Sequence, residues 1–136
     1  MARSTIKGFW RSKGSKDATP AVSLQCIQFT LDPTAASADT GKTLPAGAVP
    51  LWVQNINGGA TGGTNPTVDV GTSGDTDGFA NELDADGITA LTGGGALLGT
   101  ALTADTAIYA GAGSAAATGG SCLIGVYYIM QDDGTA

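Results

Sequence analysis

An all-β fold is what this 136-residue chain predicts: a single β-sandwich or jelly-roll-like domain of about seven or eight short strands, preceded by an extended N-terminal arm. Three observations predict it. Apolar residues recur at every second position in short runs, Gly, Asn, Asp and Pro punctuate those runs, and no helical period extends beyond one turn around Phe79–Leu83. Short alternating strands separated by tight turns are the pattern of sandwiches and jelly rolls, and the length is that of one domain.

Val22 to Leu31, VSLQCIQFTL, is the clearest strand. Val22, Leu24 and Cys26 keep one phase, and Ile27, Phe29 and Leu31 take the other. The change predicts a β-bulge near Cys26–Ile27 or a strand buried on both faces. Asp32-Pro33 stops it, and TAASADTG reads as a polar loop. In TLPAGAVPLWVQNI, Leu44-Pro45 and Val49-Pro50 exclude a helix, leaving a strand at 51–56. PTVDV (66–70) is a short strand with Val68 and Val70 inward. Residues 88–91, 96–102 and 107–110 are weaker strand candidates. SCLIGVYYIM (121–130), rich in β-branched and aromatic residues, closes the domain as a central strand. The core is expected to lean on Phe29, Trp52, Ile124, Val126 and Tyr128. ATGG occurs at 60–63 and again at 117–120, a low-complexity match rather than a repeat.

That core is thin. Leu, Ile, Val and Phe make up 26 of 136 residues, at the lower edge for a self-sufficient domain. A chain so composed gains stability from neighbours, as an oligomer or on a larger assembly. Cys26 and Cys122 are too few for a disulfide framework and read as small buried apolar residues. A bridge between them requires the first and last strands to be adjacent. With no apolar run near 18 residues, no membrane span is expected, and the basic leader lacks the apolar stretch of a secretory signal.

Charge divides the chain into an arm, 1–20, and a body, 21–136. Arg3, Lys7, Arg11, Lys13 and Lys16 stand in the first sixteen residues. The rest of the chain sets twelve acidic residues against Lys42 alone. Phe9 and Trp10 lie among the cations, where a free tail would expose them, so they are read as anchors buried against a partner. The partner-binding residues expected of the arm are therefore Arg3, Lys7, Phe9, Trp10, Arg11, Lys13 and Lys16. The acidic body would repel a phosphate backbone, so an acidic protein surface, not nucleic acid, is the expected partner.

Catalysis finds no support in the residues. The chain has no histidine, hence neither the usual general base nor the commonest metal ligand. Its glycine strings lack the spacing of a phosphate loop or a dinucleotide fingerprint. No cofactor is expected. The acidic stretch holding Asp75, Asp77, Asn81, Glu82, Asp84 and Asp86 fails as an EF-hand, because Ala80 holds the glycine position and the twelfth place lacks glutamate. A calcium loop of another kind, built on Asp75, Asp77, Asp84 and Asp86, is a weak candidate. Asp77-Gly78 and Asp86-Gly87 otherwise read as solvated turns.

The segments LPAGAVPLWVQNI, PTVDVGTSGDTDGFANELD and TADTAIYAGAGSAAATGGSCLIGVYYI carry a resemblance. Across residues 44–129 they resemble small structural proteins of tailed bacteriophages, in which an LPAGA turn leads into a strand and a Thr/Gly/Ala run ends in another. The resemblance implies a non-enzymatic β-sandwich of the virion, most like a capsid decoration (cement) protein. Such a protein would sit on the outer capsid surface, partnered by the major capsid protein and by copies of itself, with a trimer favoured. A tail or fibre-base component, and a calcium-dependent surface-adhesion module, are the alternatives. The arm lies outside the resemblance.

Overall fold

The computed structural model describes residues 23–88, 90–92 and 94–130. These form ten strands and no helix: β1 (Leu24–Leu31), β2 (Ala38–Leu44), β3 (Ala48–Asn55), β4 (Ala60–Thr61), β5 (Thr67–Gly71), β6 (Ala80–Asp84), β7 (Ala90–Thr92), β8 (Thr106–Ala112), β9 (Gly119–Gly120) and β10 (Cys122–Met130). One sheet runs β1-β10-β3-β7 and the facing sheet β2-β8-β5-β6, with β4 and β9 as a separate ribbon. Every pairing is antiparallel. Leaving out the two-residue strands, the chain pairs inward from its ends: β1 with β10, β2 with β8, β3 with β7, β5 with β6. That order is the jelly roll, a long antiparallel hairpin rolled into two sheets.

β10 is the central strand expected, and it lies between β1 and β3. Cys122, Ile124, Val126 and Tyr128 point into the core, where they are buried with Phe29. The β1–β10 register runs unbroken from Leu24↔Ile129 to Leu31↔Cys122, so the bulge expected near Cys26 does not form. β1 is instead an edge strand with apolar residues on both faces: Phe29 and Leu31 are buried, while Leu24 and Cys26 are exposed.

The bulge lies in β3. Tyr127 pairs with Trp52 and Tyr128 with Pro50, leaving Leu51 as the extra residue. A proline interrupts no ladder at such a site. Beyond the short β7, loop amides take the place of a neighbouring strand: Gly99 donates to the Pro50 carbonyl at 2.7 Å and Leu102 to that of Ala48 at 2.8 Å. The bulge also turns Trp52 outward, against the expectation that it fills the core. The space is filled by Phe79, Leu44, Leu83 and Ile108, all fully buried.

Three segments depart from their predicted state. Residues 38–41, expected in a polar loop, open β2. It is an edge strand whose register shifts between Asp39 and Thr43, and Leu44 is its one buried residue. Around the irregularity Thr40 Oγ1 donates to the Ile108 carbonyl at 2.8 Å, replacing a ladder bond. Around 79–83, where the sequence allows one helical turn, the chain forms strand β6, which buries Leu83, with Phe79 buried just before it. Residues 96–102, read as a strand, form a turn in which Leu97 donates to the Gly78 carbonyl at 2.8 Å. The two ATGG strings meet: Ala60 pairs with Gly120 and Thr61 with Gly119.

Among the described residues one polar side chain, Asn55, is fully buried. Its Nδ2 donates to the carbonyls of Asp84 and Ala85, each at 2.9 Å, and its Oδ1 accepts from the Gly58 amide at 3.1 Å. Burial is tolerated because both ends of the amide are satisfied. The bonds tie β3 of one sheet to the end of β6 in the other.

Candidate functional site

Two broad faces close the sandwich, and they differ in chemistry. On the β2-β8-β5-β6 sheet, outward positions carry Asp39, Asp69, Glu82 and Asp84. Glu82 adopts a left-handed backbone, φ 59°, and its carboxylate meets the loop that follows β8. It accepts from Thr67 Oγ1 and, at 3.0 Å, from the Ser114 amide, while its own amide donates to Asp69 Oδ1 at 2.8 Å. The Thr67 and Ser114 bonds hold the Glu82 carboxyl below its usual range. Burial pushes that of Asp69 up, against the Glu82 amide bond that lowers it.

The four aspartates of the candidate calcium loop fall into two pairs. Asp75 shares a hydrogen bond with Asp77, which raises the Asp75 carboxyl, and Asp86 shares one with Asp84 to the same effect. β6 lies between the pairs, roughly 13 Å long at the usual rise per strand residue. Calcium holds its oxygens at about 2.3–2.6 Å, so the pairs do not converge on one ion. Among the described residues no three Asp, Glu or Cys side chains are grouped to hold a metal. The backbone closes these turns itself: Thr72 and Gly78 both donate to the Asp75 carbonyl, at 2.9 and 3.0 Å.

The outer face of the β1-β10-β3-β7 sheet is different. Alternation sets Leu24, Cys26, Gln28 and Thr30 of β1 outward, with Leu123, Gly125, Tyr127 and Ile129 of β10, Trp52 and Gln54 of β3, and Leu91 of β7. None is charged. Trp52 and Tyr127 stack with centroids 4.8 Å apart and planes 14° apart. Gly125 leaves a gap around which Cys26 Sγ, Tyr127 and Ile56 gather, each 3.0–3.3 Å from where a Cβ would sit. Both cysteines are free. Cys26 is exposed on this face and Cys122 is buried on the other, so adjacency of their strands does not bring them together. Burial pushes the Cys122 thiol up.

The arm residues Arg3, Lys7, Phe9, Trp10, Arg11, Lys13 and Lys16 lie outside the described residues. The uncharged sheet face escaped the sequence reading, which placed Trp52 in the core. Its signal was present all the same: 22–31, 43–56 and 121–130 hold no charged residue, and the first and last are apolar in both phases.

No family model and no curated protein matches the sequence. Among solved structures, a chain of the "Cyanophage Pam1 capsid asymmetric unit" superposes with a TM-score of 0.62 at 21% identity, over 90% of this chain and 99% of that one. The two share a fold.

Proposed function

We propose that this protein is a non-enzymatic structural component of a phage virion, a capsid decoration (cement) protein on the outer surface of the head. The observation that carries the reading is the fold shared with a chain of a capsid asymmetric unit across nearly the whole of both chains. The phage-like segments between 44 and 129, the thin core and the separation of a cationic arm from an acidic body support it. In this reading the arm binds the major capsid protein through Phe9 and Trp10, with Arg3, Lys7, Arg11, Lys13 and Lys16 facing carboxylates. The body self-associates, as a trimer, and binding to the assembled lattice stabilises the shell by mass action.

A density map of the whole virion tests the reading. Density for this chain on the outer surface of the head is the expected result. Density confined to the tail or fibre base overturns it, as does calcium-dependent, chelator-reversible binding to host cells by a chain absent from the head.

A further inference from the structure

We propose that the uncharged outer face of the β1-β10-β3-β7 sheet is the surface through which one copy of this chain binds another. The inference deepens the reading above by assigning the surface of its oligomer, and it rests on that reading only for the expectation that copies associate.

The outer face of an antiparallel sheet is ordinarily its polar face. Here it presents half-buried Trp52, Leu123, Tyr127 and Ile129, exposed Cys26 beside Gly125, and Leu24, 54% exposed on one outer strand, with Leu91, 62% exposed on the other. Exposed contiguous apolar surface marks an interaction site, and interface centres are depleted of charge and enriched in Tyr and Trp. Four strands about 4.8 Å apart, the longest eight or nine residues at about 3.3 Å each, make a plane of roughly 500 Å² in projection. That suits a smaller specific interface, near the lower end of the range per partner. β1 adds an edge: among the described residues no strand pairs with its second side, and LQCIQFTL has none of the charges or prolines that guard exposed edges.

Charge decides the occupant. The described residues carry nine acidic side chains against Lys42, and none lies at an outward position of this sheet. Two such bodies meeting through their other broad face would set Asp39, Asp69, Glu82 and Asp84 against further acids. Through this face they meet without like charges opposed, so the second copy offers the complementary surface. The basic arm is a poor occupant, since its five cations would find no carboxylate here.

The test reads mass and accessibility on the full chain, away from any particle. Light scattering should show a concentration-dependent oligomer. Maleimide labelling of Cys26, the exposed one of the two thiols, should slow as protein concentration rises. Leu24→Glu with Leu91→Glu, both exposed positions, should return the protein to a monomer with an unchanged far-UV spectrum and fast Cys26 labelling at all concentrations. A wild-type monomer at every concentration, or a double variant whose mass is unchanged, overturns the proposal. So does a Cys26 that is protected only on the particle, which would hand the face to the capsid. If the double variant fails to fold, the concentration dependence of Cys26 labelling in the wild type decides alone. Particle binding is scored separately, so failure of the virion reading is distinguishable from failure of this one.

Discussion

Asn55 donates to the Ala85 carbonyl at 2.9 Å from a fully buried position, across the two sheets of the sandwich. The same amide nitrogen reaches the Asp84 carbonyl, and its oxygen holds the Gly58 amide. Asn55→Ala removes a partner of the buried Ala85 carbonyl and of the part-buried Asp84 carbonyl and Gly58 amide. Each unsatisfied buried group costs roughly 1–3 kcal/mol. The variant should therefore lose about 2–4 kcal/mol, since the Ala85 oxygen keeps bonds from Ala60 and Cys122. Urea unfolding checks this as a lowered midpoint at an unchanged slope.

Ile124 is fully buried on the central strand, paired with Phe29 of β1 and Asn55 of β3. Ile124→Ala should cost about 2–5 kcal/mol, the range for deleting a large aliphatic side chain from a packed core. In a domain with so thin a core that loss is a large share of total stability. Thermal unfolding followed by circular dichroism reads it, and a loss below ~1 kcal/mol would show that the site collapses around the smaller residue.

Gly111 lies on β8 where the 32–37 connection crosses. A Cβ there would sit 2.4 Å from the Ser37 amide nitrogen and 2.5 Å from the Ala36 carbonyl carbon. Backbone cannot yield as a flexible side chain does, so Gly111→Ala should lift this connection off the sheet. It should also break the 2.7 Å bond from the Ala112 amide to the Ala35 carbonyl. Faster hydrogen exchange at Ala112 is the expected readout.

The Glu82 carboxyl is held below its ordinary value by the Thr67 hydroxyl and the Ser114 amide. A carboxylate whose folded value is depressed contributes stability above its unfolded value, about 4.3 for Glu. That contribution is lost as pH falls through the folded value. Wild type should therefore be more stable than Glu82→Gln at neutral pH, and the two should converge as pH falls through the depressed folded value. The gap will be small, because solvent screens so exposed a group. Urea midpoints measured across the acid range check the sign, and a gap that widens on acidification contradicts it.

The arm prediction follows from magnitudes. Ordering about twenty residues costs on the order of 1–2 kcal/mol each in backbone entropy, and surface ion pairs return roughly 0–1 kcal/mol apiece. Burial of Phe9 and Trp10, at about 150–250 Å² each, together with backbone hydrogen bonds must supply most of the balance. Deleting 1–20 should leave a folded body that no longer binds the particle. Phe9→Ala with Trp10→Ala should weaken binding more than neutralising any two of the cations. Co-sedimentation with undecorated heads measures both, and a deletion that binds normally removes the arm as anchor.

The sequence by itself determined the class of fold, the central place of Ser121–Met130 and part of the core, namely Phe29, Val68, Val70, Ile124, Val126 and Tyr128. Each is written locally: alternation along one strand, turn residues at its ends, and apolar runs too short for helices. It also set the division between a cationic arm and an acidic body, which is a matter of counting charges. Tertiary structure decided what depends on a partner strand. β2 is polar because it is an edge, and Ala80–Asp84 is a strand because β5 lies beside it. Asp75 and Asp77 stand apart from Asp84 and Asp86 because β6 separates them. Trp52 faces outward because a bulge at Leu51 shifts its phase against β10, and one residue of register exchanges the inside of a sheet for its outside. The outer face around Trp52 and Tyr127 is therefore a product of pairing across some seventy residues of chain, a relation that no local pattern carries.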